Sequence, residues 1–240
     1  MTFACLPLLF ALTSADAVAV LLNSPNAVKP SVYESAKELV EKDARAGKPL
    51  QQFVIGVMTD DAALSARYLA ASRGRIEDLA ERCGNPLALY LMSVERNDFQ
   101  LLRRAAEGGN VQALNALGTL ALQEAARRRA WETNSYDGVI VRCRDYFSQA
   151  AAKRDANGFV NLGLCYWRGI GGERNPELGF QSFRSAAELG HPEAMDYMAM
   201  MYRRGEGVPR DEKLSLYWTM RARAARGDEA AENWLRSGKE

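Results

Sequence analysis

One pattern of small, apolar and aromatic residues is written twice between residues 155 and 235 and then starts a third time. A shift of 36 carries Asn157–Gly172 onto Glu193–Val208. Leu162 and Gly163 then fall on Met198 and Ala199, Tyr166 on Tyr202, Gly169 on Gly205 and Gly171 on Gly207. A helix must bury one stripe of its surface. Two amphipathic runs of about 12 residues joined by glycine turns, repeated at this period, therefore predict helical hairpins stacked along an axis.

Within one unit the physics is local. Ala194, Met198, Met201 and Tyr202 recur at helical spacing and predict the buried face of a first helix. Ala199 shares that face, and its counterparts Gly163, Gly118 and Gly56 have no side chain at all, which lets a partner helix approach closely. That approach outweighs the roughly 1 kcal/mol that glycine costs inside a helix. Gly205 and Gly207 supply positions where φ can be positive, and Asp211 offers a carboxylate to the free amides of a second helix. Leu214, Tyr217, Trp218 and Arg221 are expected to turn that helix's stripe onto the first.

The run from Gly190-His191-Pro192-Glu193-Ala194 through Met198-Ala199 carries a resemblance. It continues through Tyr202, Gly205, Gly207, Val208 and Asp211 to Tyr217-Trp218 and Ala224-Ala225, ending at Gly227. This run resembles the Sel-one-like repeat, a family of α/α solenoids related to the tetratricopeptide repeat. The resemblance implies an all-α fold, a right-handed α/α superhelix of helical hairpins, covering residues 105–235 and fading before that. It divides the chain into an N-terminal apolar segment and linker (1–30), degenerate helical repeats (31–108), and Sel-one-like repeats with a C-terminal capping helix (109–240).

Earlier parts of the chain read as weaker copies. Ser31 and Glu34 have capping-box spacing at the start of a helix whose stripe is Tyr33, Ala36, Lys37, Val40 and Ala44. Gly47-Lys48-Pro49 through Ile55-Gly56 repeats the offsets of Gly190 through Ala199. Asp60 and Asp61 are expected to cap a helix that closes at Ala70-Ala71 and Gly74, with a short helix from Arg75 to Cys83 and another from Asn85-Pro86. The pairing of residues 75–96 is left open. The step from Gly118 to Gly163 is 45, nine more than the period, so this hairpin holds an insertion carrying Arg127, Arg128, Arg129 and Trp131. Its second helix is read from Val139 to Ala152 with Val141, Tyr146 and Phe147 inward. Asp228–Ser237 reads as a terminal cap with Ala231, Trp234 and Leu235 on one side.

Composition excludes several roles. A net charge of +1, from 31 basic and 30 acidic residues, gives no overall field to attract nucleic acid or an anionic membrane. Four cysteines with no C-x-x-C pair and a single histidine argue against a thiol–imidazole metal site, so no metal and no cofactor are expected. Cys5, Cys83, Cys143 and Cys165 read as buried free thiols, with a Cys143–Cys165 bridge open in an exported chain. Residues 3–22 leave three readings open: an export signal with small residues at Ala15 and Ala17, a docked helix, or a membrane anchor. The exported reading is slightly preferred to a cytoplasmic one, and a monomer is expected.

No nucleophile, base and oxyanion donor converge in the sequence, so an enzyme is not expected. His191 occupies a helix start and reads as structural or surface, and Gly169–Gly172 lacks the Lys-Ser/Thr of a phosphate loop. The resemblance implies instead a scaffold or adaptor that holds a peptide or protein segment in a concave groove. Carried over by offset, that groove comprises Gln112, Asn115, Thr119, Asn157, Val160, Leu164, Trp167, Glu193, Asp196, Met200 and Arg203. Trp167 and Arg203 are side-chain types enriched at interfaces, although Trp167 packing between hairpins is equally compatible with the pattern. A cell-envelope hydrolase-like or β-lactam-directed, cell-wall-related protein of the same family is the alternative.

Overall fold

A computed structural model describes residues 17, 18, 21, 22, 30–127 and 138–238. Every regular element among them is an α-helix. The order is α1 (Pro30–Arg45), α2 (Pro49–Met58), α3 (Ala62–Glu81), α4 (Pro86–Arg96), α5 (Phe99–Glu107) and α6 (Val111–Arg127). It continues with α7 (Gly138–Ala152), α8 (Ala156–Arg168), α9 (Pro176–Glu188), α10 (Pro192–Arg204), α11 (Glu212–Ala225) and α12 (Glu229–Arg236). Each helix packs on its neighbours in sequence. The most extensive pairings are α2 with α3, α6 with α7, α8 with α9 and α10 with α11, with α4 on α5 next. Contacts beyond the next neighbour are few, as between α6 and α8. This is the nearest-neighbour architecture of a solenoid.

The starts and stops follow from single residues. Asp61, Asn85, Asp98, Asn110, Asp155, Asn175, Asp211 and Asp228 each accept a backbone N–H from the first turn of the following helix. Pro49, Pro86, Pro176 and Pro192 stand at first helical positions, where a missing N–H removes nothing. Gly169 and Gly205 end α8 and α10 in the left-handed conformation, at φ 74° and 68°. Two residues on, Gly171 and Gly207 are left-handed again, so both turns reverse the chain identically. Each turn is closed by a matching bond: Asn175 N–H donates to Tyr166 O at 2.8 Å, and Asp211 N–H to Tyr202 O at 2.9 Å.

Several finer expectations are corrected. α3 does not close at Gly74 but runs on to Glu81 as one 20-residue helix. Its buried residues Tyr68, Ser72, Ile76 and Ala80 fall every fourth position, so one stripe continues unbroken through Gly74. This settles the open pairing: α3 closes the hairpin begun by α2, and α4 opens the next with α5. Ser31 lies inside α1, which already begins at Pro30, and so does not cap it. Val141 is exposed because the inward line of α7 is Cys143, Phe147 and Ala150. Leu214 is likewise exposed, and Ser215 and Ala222 take the buried line of α11 with Trp218 half-buried. Cys83 is exposed, whereas Cys143 and Cys165 are buried, and none of the three is in a disulfide. Cys5, residues 128–137 with Trp131, and most of 3–22 lie outside the described residues. No described helix is long and apolar enough to cross a membrane.

Candidate protein-binding surface

Three helices, α6, α8 and α10, are the first members of successive hairpins. Their aligned positions form four rows: Gln112/Asn157/Glu193, Asn115/Val160/Asp196, Thr119/Leu164/Met200, and Trp167 with Arg203. The rows have different fates.

The second row is tied down. Asn115 Nδ2 donates to Asp155 Oδ1 at 2.7 Å, reaching the cap of the next first helix. Its own Oδ1 is left buried without a partner among the described residues. Val160 is 4% exposed and belongs to the core with Phe180 and Phe183, so it is withdrawn from the surface. Asp196 is ion-paired with Arg226, again at the boundary with the next unit. In the first row Asn157 Oδ1 lies 3.1 Å from His191 Nε2. His191, the cap position of α10, is 3% exposed and therefore structural rather than superficial. Burial holds its pKa below the ordinary imidazole value; Asp155 opposes that and Arg226 adds to it. A polar rung thus crosses each of the three boundaries that follow α6, α8 and α10. Only the amide and carboxylate types of these residues, not their partners, were visible in the sequence.

Trp167 is shared between two hairpins. Its indole N–H donates to Glu206 Oε2 at 2.7 Å, in the turn of the following unit. Its ring meets Tyr197 at 6.1 Å, and Tyr197 stacks on Phe183 at 4.7 Å. Tyr197 OH points to Glu193 Oε1 at 3.5 Å, and burial followed by that carboxylate raises the phenol's pKa. Trp167 is therefore largely packing. Gln112, Leu164 and Met200 remain half-buried, while Thr119, Glu193 and Arg203 are exposed. Offsets alone did not reveal a cleft of about 870 Å³ at the other end of the chain, bounded by α1, α2 and α3 and lined by Tyr33, Lys37, Arg67 and Tyr68. Among the described residues no three His, Cys, Asp or Glu side chains converge as metal ligands.

Comparison with known proteins bears on the repeat and the fold. The sequence model of the Sel1 repeat matches residues 99–110, 160–191 and 192–225. A putative ERAD-associated E3 ubiquitin-protein ligase component of Schizosaccharomyces pombe is 34% identical over 73 residues, 30% of this chain and 10% of that protein. The chain thus spans about a tenth of that relative's length. A protective antigen of uropathogenic Escherichia coli displaying an SLR fold superposes with a TM-score of 0.53 at 22% identity. That match covers 82% of this chain and 42% of the antigen. A Sel1 repeat protein from Oxalobacter formigenes gives a TM-score of 0.46 at 26% identity, over 53% of this chain and 90% of the other. Sel1 repeat proteins are generally protein–protein interaction scaffolds. The chain is a helical solenoid that carries matches to the Sel1 repeat at residues 99–110, 160–191 and 192–225.

Proposed function

We propose that this protein is a non-catalytic scaffold that holds a peptide or protein segment against the faces of α6, α8 and α10. One observation carries the reading. On three aligned helices the positions that cross unit boundaries are already bonded, and the flanking positions Gln112, Thr119, Leu164, Glu193, Met200 and Arg203 stay accessible in register. A surface pre-ordered in this way binds without first losing side-chain freedom at its foundations. Leu164 and Met200 give the occupant an apolar line, and Glu193 and Arg203 flank it with opposite charges.

The test is affinity capture from cells with the wild-type chain beside a Glu193→Arg, Met200→Glu, Arg203→Glu variant, whose altered positions lie outside the core. The proposal expects a partner that the wild type retains and the variant loses, with equal helicity at the temperature of the capture. A partner kept equally by both rejects this surface.

A further inference from the structure

Cys143 in α7 and Cys165 in α8 meet across the boundary between two hairpins. They are 0% and 1% exposed and share one small core cluster with Phe147, Ala151 and Leu162. Their thiols are hydrogen-bonded to one another. The backbone around them is held independently by the next residue of α7. Arg144 Nη2 donates to Cys165 O at 3.3 Å and to Glu173 O at 3.2 Å, and its Nε donates to Ile170 O at 3.2 Å. The same guanidinium lies over the Tyr166 ring at 4.7 Å. The repeat itself does not require a thiol here, since a shift of 36 places Gly179 and Met201 at the two positions.

We propose that Cys143 and Cys165 are a disulfide-forming pair that staples α7, the second helix of the hairpin with the insertion, onto α8 when the chain folds in the presence of a small-molecule disulfide such as oxidised glutathione. The thiols are enclosed in the finished fold, so exchange takes place while the cluster is still open. Cys143, as thiolate, attacks one sulfur of the glutathione disulfide and expels one glutathione thiolate, leaving a mixed disulfide at Cys143. The Cys165 sulfur then attacks the Cys143 sulfur and expels the second. The protein loses two electrons and two protons, and two glutathione thiols carry them away. In the finished fold the hydrogen bond from Cys165 is the main cause holding the Cys143 thiol below its ordinary pKa, while that bond and burial push Cys165 upward. A bridge here removes freedom from the unfolded chain at a boundary the native state already closes.

The experiment refolds the full chain from denaturant in glutathione redox buffer and maps its peptides by mass spectrometry without reduction. The expected result is one peptide pair linking Cys143 to Cys165, with thiols titrated in denaturant falling from four to two. The bridged chain should melt about 5 °C or more above the dithiothreitol-reduced chain. Cys83 is exposed and absent from the cluster, so a Cys83→Ser chain must give the same linked peptide. Four remaining thiols, a linkage through Cys83 or Cys5, or a bridged chain that melts lower than the reduced one would each overturn the proposal. None of these outcomes depends on the scaffold function.

Discussion

Gly163 in α8 and Phe183 in α9 are fitted to one another: a methyl group added to Gly163 would lie 2.7 Å from Cε1 of the ring and 2.8 Å from Cδ1. Gly118 and Phe147 stand in the same relation one unit earlier, with the corresponding distance 2.5 Å. A glycine on the first helix thus makes room for a phenylalanine on the second. In the last unit the shift of 36 replaces the pair by Ala199 and Thr219, a larger residue facing a smaller one.

Gly163→Ala should therefore destabilise the protein despite alanine's higher helix propensity. Overpacking a buried ring costs about 1–3 kcal/mol, against at most about 1 kcal/mol gained in the helix. Chemical denaturation should show a net loss of about 1–2 kcal/mol. An unchanged or raised midpoint would mean that Phe183 is free to move aside.

The turn glycines should rank by their surroundings. Gly207 combines a φ of +71° with a space in which a methyl group would lie 2.5 Å from Pro176 O. Gly190 has a φ of +89° but nothing within 4 Å. Gly190→Ala should cost about 1–2 kcal/mol, from backbone conformation alone. Gly207→Ala should cost clearly more, because backbone must shift as well. Equal losses, measured by thermal melts of the two variants, would contradict the close approach of this turn to α9.

Two aspartates that cap helices should differ in the same way. Asp211 accepts from Leu214 N–H at 2.9 Å, and Asp211→Ala should cost about 1 kcal/mol. Asp155 accepts from Gly158 N–H and also from the Asn115 amide, both at 2.7 Å. Its removal leaves a part-buried donor unpaired, and Asp155→Ala should cost about 2 kcal/mol or more. Removing the orphaned amide with Asn115→Leu in the Asp155→Ala background should recover part of that loss. Failure to recover any would remove the rung between α6 and α8 from the account.

His191 sets a pH dependence with a definite sign. Its folded pKa is lowered, chiefly by burial, so folding favours the neutral ring. The unfolded chain then binds the proton more readily as pH falls. The contribution is fully present above the unfolded value of about 6.5 and is lost as pH falls towards the folded pKa. Melting temperature should decline between about pH 7 and pH 5, and a His191→Gln chain should decline less over that window. Identical pH profiles would show that the ring is not confined by Asn157 and its neighbours.

The fold was legible where chemistry acts within a few residues. Glycine turns, aspartate and asparagine caps and prolines at helix starts state their role locally, so α8 to α12 and their order followed from the pattern. Gly74 shows the limit. An A-A-x-x-G ending looks the same whether or not the helix stops, and only the continuing stripe of Tyr68, Ser72, Ile76 and Ala80 separates the two cases. Val141 and Leu214 fail for another reason: each lies a residue or two from a smaller neighbour, Cys143 or Ser215, that takes the inward position. On the candidate surface the offsets picked out one face of α6, α8 and α10, yet could not show that Asn115, Asn157, Trp167 and Asp196 are held by the next unit. Those partners, Asp155, His191, Glu206 and Arg226, are 30 to 40 residues away.

The central claim is that each hairpin is stabilised by the units beside it. It is tested most directly by amide hydrogen exchange on the wild type and a Phe183→Leu chain, which trims a side chain fully buried beneath α8 and α10. The account predicts a graded response: exchange accelerates most in α8 to α11, less in α6 and α7, and least in α1 to α4. Equal acceleration in all twelve described helices would contradict it, because that is the behaviour of one indivisible core.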